Sequence, residues 1–226
     1  LEKYHNRGLP CPLVAVVGID EGLFVASTYH LVHLDSSGEL DFAGWLKGQP
    51  EEVITGKFTG LPIPANAEIA LEGEIRPGAV KLEGPFSEWT GYSQVKEFPV
   101  FDVKCLYHRN DPILTASMGA GFNPQAGMRV DNLMSALIWD QMEKAGVRGI
   151  RGVASYNSRR LQVIAIDNLY AGHSMQAALV SSQCHAGCYG GSYTIVVDSN
   201  IDPTNLQEVL WQVCMRTEPK RASLRI

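Results

Sequence analysis

Residues 64–92 read PANAEIALEGEIRPGAVKLEGPFSEWTGY. At its centre Glu68–Ile75, EIALEGEI, alternates. Ile69, Leu71 and Ile75 fall on one side, and Glu68, Glu72 and Glu74 on the other. A period of two marks a β-strand, whose successive side chains point to opposite faces. Val100–His108, VFDVKCLYH, alternates in the same way and groups Phe101, Val103, Cys105 and Tyr107. Between the two, the Gly- and Pro-bearing stretch Pro77–Ser93 reads as a connection. Strands at this spacing with glycine-rich corners predict a small antiparallel barrel.

Working outward, Pro12–Gly18 (PLVAVVG) is a short apolar run closed by glycine and predicts a buried strand. Glu21–His30 reads as helix, Asp41–Lys47 as one or two amphipathic turns, and Val53–Phe58 as a short strand. Downstream the period changes. Val130, Leu133, Met134, Leu137, Ile138 and Met142 recur at helical spacing, and Gly146 ends the run. Leu161–Ile166 and Tyr193–Val197 read as strands. Asp202-Pro203 reads as a helix start, an oxygen-bearing cap followed by proline at the first helical position. Leu206, Val209, Leu210 and Val213 continue that helix's apolar stripe. The expected organisation is α+β: a barrel region over residues 1–118 and a small α/β lobe over 119–226.

Composition narrows the function classes. The 226 residues are 45% hydrophobic and 19% charged, which suits a globular core rather than disorder or a coiled coil. Nineteen Lys and Arg against 24 Asp and Glu leave a net charge of −5, and basic residues form no long run. A nucleic-acid partner is not expected. No apolar stretch reaches the length of a membrane span, and the polar opening Leu1–His5 does not resemble a secretory leader. Five cysteines, an odd count, point to free thiols in a reducing compartment, so a cytoplasmic location is expected.

The stretch Pro64–Tyr92 also carries five carboxylates: Glu68, Glu72, Glu74, Glu83 and Glu88. Glu83 and Glu88 are expected in a Gly/Pro loop that lets backbone approach another group closely. Hard oxygen ligands of this kind suit Mg²⁺ or Mn²⁺, particularly an ion that also holds a phosphate. The alternative is a solvated acidic strand face. Cys184-His185-Ala186-Gly187-Cys188 invites a metal reading, but zinc needs three or four ligands and no second Cys/His cluster accompanies it. His173, at the start of a helical run, is either a pocket acid or base or a structural hydrogen-bonding group. His108-Arg109 is either an anion site or a solvated pair. Gly119-Ala120-Gly121 lacks the dinucleotide-binding pattern.

PANAEIALEGEI followed by LEGPFSEWTGY resembles the signature of the UbiD family of decarboxylases. PLVAVVGIDEGLFVAS, DFAGWLKGQPEEV, FPVFDVKCLYHRNDPIL, YAGHSMQAAL and YTIVVDSNIDPTNLQEVLWQVCMRT follow the family in order, so the likeness runs over nearly the whole chain. The resemblance implies a split β-barrel of the FMN-binding type, holding prenylated FMN, a divalent Mn²⁺ or Mg²⁺ and often K⁺. It implies reversible decarboxylation of a small aromatic or α,β-unsaturated acid, with the flavin as electron sink. Glu83 is the first choice for the metal and Glu88 the second, with Pro85 and Phe86 beside the cofactor. A homo-oligomer held through the late lobe is also implied.

The chain departs from the family pattern in three ways. It begins inside the family sequence, so the upstream Arg and the Asn and His metal ligands are not in it. The family's tail after the last helix is not in it either. The expected acidic proton donor aligns with Pro124-Gln125, where no Glu stands. Gln125 can donate a hydrogen bond but cannot deliver a proton, which leaves Asp131 or His173 as candidates on this chain. Two other readings stay open: a non-catalytic accessory subunit of a carboxylase complex, and a plain FMN flavoprotein performing hydride transfer.

Overall fold

The structure is a computed structural model that describes residues 1–28, 38–87, 93–114, 130–157, 160–188 and 191–218. Its elements in order are α1 (Glu2–His5), β1 (Cys11–Val17), α2 (Glu21–Thr28), α3 (Glu39–Lys47), β2 (Val53–Thr55), β3 (Pro62–Pro64), β4 (Ile69–Ser87) and β5 (Ser93–His108). There follow α4 (Asn132–Lys144), β6 (Ile150–Tyr156), β7 (Leu161–Ile166), α5 (His173–Gln183), α6 (His185–Cys188), β8 (Tyr193–Asp198) and α7 (Leu206–Arg216). The chain divides into two compact units, Leu1–Pro124 and Gln125–Ile226.

The first unit is built on an antiparallel sheet ordered β1-β4-β5. Cys11 pairs with Ile75 and Val17 with Ile69, so the alternating stretch EIALEGEI is the central strand. β1 ends where Gly18 turns out of the extended conformation at positive φ, and close neighbours leave room for no side chain there. A Cβ there would lie 2.6 Å from Glu68 Cγ and 2.7 Å from the Ile113 carbonyl, at φ +69°. A second, two-stranded sheet pairs β2 with β3. None of the described sheets closes on itself, so the architecture on view is mixed α/β with open sheets.

Two expectations change here. Of the stretch Pro77–Ser93, the described part Pro77–Ser87 is strand rather than loop. β4 runs unbroken to Ser87 and β5 begins at Ser93, so most of the stretch is a two-stranded ribbon extending past the end of β1. Its glycines and prolines are absorbed by register shifts, one between Ile75 and Val80 and another between Glu83 and Phe86. Second, the side of β4 bearing the glutamates is the better buried one. Ala70 is 2% and Glu72 0% exposed, while Ile69, Leu71 and Ile75 on the opposite side are only half-buried.

The second unit is a three-stranded sheet ordered β6-β7-β8, with β6 and β7 antiparallel and β7 and β8 parallel. The parallel pair needs a crossover, which α5 and α6 supply. On one face Ala154, Tyr156, Val163, Ala165 and Val197 pack with Ile201 and Val209. By alternation Val153, Ser155, Gln162 and Ile164 point to the other face, and α4 and α5 are the helices packed beside β6 and β7. β6 was not anticipated from the sequence. α7 begins at Leu206 rather than at Pro203. Asn205 is its cap, accepting from Glu208 N, while Asp202 accepts from Thr204 N and Oγ1 in the preceding turn. All five cysteines are free, and no described helix is long and apolar enough to cross a membrane.

Candidate active site

The four described carboxylates of the signature, Glu68, Glu72, Glu74 and Glu83, do not form one acidic surface. Glu72 is wholly enclosed. Its Oε1 accepts from Phe58 N (3.0 Å), Thr59 N (2.6 Å) and Thr59 Oγ1 (2.7 Å), and its Oε2 from the Tyr107 hydroxyl (2.7 Å). Tyr107 Oη in turn accepts from Lys57 N. Burial by itself would raise the Glu72 carboxyl, but these donors, led by Thr59 N and the Tyr107 hydroxyl, outweigh it and hold the pKa at about 2. Every described partner is neutral and every one belongs to this unit, so Glu72 ties the β2–β3 turn to the sheet. Parity alone could not reveal this, because the turn that supplies the donors lies more than ten residues away in sequence.

Glu68 is likewise engaged at home. It accepts from Arg109 Nη1 (2.9 Å) and Ile113 N (3.1 Å), and the Ile113 N–H and the Arg109 guanidinium hold its carboxyl below the usual range. Arg109, read from the sequence as part of an anion site or a solvated pair, is therefore the ion-pair partner of Glu68. Glu74 bonds Arg76 at 3.0 Å.

Glu83 lies within β4, directly opposite Lys96 and two residues from Lys81 on the same face, not at the mouth of a loop as expected. Pro85 is exposed in the bulge that follows, where Gly84 and Pro85 together oppose Val95. Phe86 is paired to Gln94 through the backbone. The Phe86 side chain, Glu88 and Gln125 all lie outside the described residues. No three His, Cys, Asp or Glu side chains converge among the described residues. Those residues alone therefore do not make a divalent-metal site, and Glu83 supplies one ligand at most.

The other candidates are in the second unit. Asp131 caps α4, its Oδ1 accepting from Met134 N at 2.9 Å. His173 is 0% exposed, its Nδ1 accepting from Leu169 N and its ring 4.4 Å from that of Tyr170. Both geometries hold helix starts. Cys184 and His185 flank the start of α6, and burial raises the Cys184 thiol, which disfavours a thiolate ligand.

The two units match two successive domains in the same order. Residues 1–121 match the 3-octaprenyl-4-hydroxybenzoate carboxy-lyase Rift-related domain, and residues 130–225 the C-terminal domain of the same carboxy-lyases. The chain belongs to the UbiD family. Among curated relatives, a phenolic acid decarboxylase of Bacillus subtilis (strain 168) is 29% identical over 229 residues, covering 100% of this chain and 48% of that protein. Among solved structures, an evolved dimeric form of the UbiD-class enzyme HmfF from Pelotomaculum thermopropionicum, in complex with prFMN, superposes with a TM-score of 0.81. It is 24% identical, over 97% of this chain and 50% of that one. Vanillic acid decarboxylase of Sedimentibacter hydroxybenzoicus in its closed form gives 0.80 at 24% identity, over 97% and 46%. At that identity the structures speak to fold alone. This UbiD-family chain spans about half the length of the relatives it matches.

Proposed function

We propose that the protein is a UbiD-class carboxy-lyase acting on a small aromatic or α,β-unsaturated carboxylic acid, with its first unit serving as a split-barrel platform for prenylated FMN. The supporting observation is the match of both units, in order, to the two carboxy-lyase domains. The relative named as a phenolic acid decarboxylase and the neighbour bound to prFMN support the substrate class and the cofactor. When bound, the flavin supplies the electron sink. The test is expression with a flavin prenyltransferase, followed by mass spectrometry of released small molecules and CO₂ exchange on a panel of aromatic acids. Flavin and exchange are expected; a protein that carries neither overturns the reading.

Glu83 is our candidate for a contact to Mn²⁺ or Mg²⁺, with K⁺ as a further ion, and other ligands are needed to complete such a site. Glu83→Gln keeps the shape and removes the anionic oxygen, so metal content and flavin retention should fall together. Unchanged metal content would remove Glu83 from the site. For proton delivery, Gln125→Glu installs an ionisable group of about the same volume at the position the family gives to an acid. A missing donor predicts at least about tenfold faster exchange at the substrate carbon in that variant. If Asp131 or His173 already serves, Gln125→Glu changes little and Asp131→Asn or His173→Gln abolishes exchange.

Assembly as a homo-oligomer through residues of about 161–217 fits the shape of α7. One side of that helix buries Val209, while Leu210 (49%), Trp211 (52%) and Met215 (67%) remain exposed. Light scattering at micromolar concentration should give a mass above the 24.7 kDa of one chain, and a monomer removes this part of the proposal.

A further inference from the structure

We propose that the second unit holds one structural water molecule, bound between Ser155 Oγ on β6 and Gln162 Oε1 on β7. The observation begins with a residue out of character. β7 reads LQVIAI, and every position but the first is buried, so Gln162 sits with 0% exposure in an otherwise apolar strand. Its register partner across the antiparallel ladder is Ser155, also 0% exposed. Among the described residues, Gln162 Oε1 and Ser155 Oγ both lack a hydrogen-bond partner. Two unpaired oxygens enclosed on facing positions are unfavourable singly and jointly.

The surrounding bonds decide which group satisfies them. Gln162 Nε2 donates to the Gly187 carbonyl at 2.8 Å, which fixes the orientation of the amide. Reversing it would set two carbonyl oxygens against each other. Ser155 N donates to Ser135 Oγ at 2.9 Å, and Ser135 Oγ donates to the Asp131 carbonyl at 2.6 Å, so the Ser135 proton is already committed. Ser155 and Gln162 are directly opposed and project to the same face of the sheet, where one small molecule with a donor and an acceptor satisfies both. A water accepts from the Ser155 hydroxyl and donates to Gln162 Oε1, satisfying both. Buried waters sit where enclosed polar groups lack other partners. A cation is disfavoured, since the site offers two neutral oxygens and no three His, Cys, Asp or Glu side chains converge among the described residues. With the water in place, one polar chain runs from the start of α4 through β6 and β7 to α6.

The test is a crystal structure of the protein at a resolution that places ordered solvent, together with a double-mutant cycle. A solvent peak within about 2.6–3.2 Å of both oxygens is expected. A direct Ser155–Gln162 hydrogen bond, or another part of the chain occupying either oxygen, overturns the proposal. Ser155→Ala and Gln162→Met should each lower Tm by about 2–6 °C. Because they disturb one shared water, the double variant should melt close to the worse single variant. Fully additive shifts overturn the sharing. Ser155→Ala removes only one oxygen and keeps the arm readable if Gln162→Met fails to fold, since solvent density that persists unchanged without the hydroxyl also counts against the bridge.

Discussion

Replacing Glu72 with alanine is expected to destabilise the first unit by about 3–4 kcal/mol, a fall in Tm of roughly 10 °C. The substitution leaves Phe58 N, Thr59 N, the Thr59 hydroxyl and the Tyr107 hydroxyl without their acceptor in an enclosed place. It also frees the turn packed on it, since a Cβ at Gly56 would sit 2.2 Å from Glu72 Oε1. Glu72→Gln keeps the volume and one acceptor oxygen, so its loss should be smaller. The pH dependence separates charge from packing. The folded carboxyl is depressed from 4.5 to about 2, so its contribution is fully present above pH 4.5 and is lost as pH falls toward about 2. Wild-type stability should decline through that window, and Glu72→Gln should remove this part of the slope. Denaturant melts at pH 7, 4 and 3 read both effects. An alanine variant that melts within a degree of wild type would show that the turn needs no anchor.

Gly187→Ala is expected to cost about 3 kcal/mol or more, through crowding rather than backbone strain. A Cβ on Gly187 would lie 1.8 Å from the Ser181 carbonyl oxygen and 3.2 Å from Gln162 Nε2. The first neighbour is backbone at the end of α5 and cannot swing aside. Relief requires α6 to move, which also breaks the Gln162 Nε2 to Gly187 O bond. Gly146→Ala is the control. Gly146 has φ +87° but nothing within 4 Å of its would-be Cβ, so only the left-handed backbone penalty of about 1–2 kcal/mol applies there. Thermal melts and hydrogen exchange at the Cys184 amide, bonded to Val180 O, report the difference. Equal losses in the two variants would mean that α6 yields cheaply.

The candidate site was only partly legible. The signature stretch announced its strand through alternation, and the carboxylates were visible as residue types, but their separate fates were not. Glu68 is taken by Arg109 and Ile113, Glu72 by Thr59 and Tyr107, and Glu74 by Arg76, while Glu83 stands opposite Lys96. Apart from Glu74 and Arg76, neighbours on one strand, each pairing joins groups that only the folded chain brings together from distant positions. β6, with its glycine and serine, carried no strand signal strong enough to stand apart from its neighbours, and only pairing with β7 makes it a strand.

By itself the sequence determined the local periods: the alternation of β4 and β5, the helical spacing of α4, the apolar runs of β1, β7 and β8, and the ordered motifs of the UbiD family. These are properties of single segments, set by how often apolar side chains recur along a strand or a helix. Only the tertiary structure decided that the Gly/Pro stretch after Ile75 continues as a ribbon, that the glutamate side of β4 faces inward at Glu72, and that α7 is capped by Asn205 rather than Asp202. In each case the outcome rests on a partner distant in sequence or on which of several nearby oxygens meets which N–H. Burying a charge becomes favourable only when its donors are already in place, and that placement is a property of the folded chain.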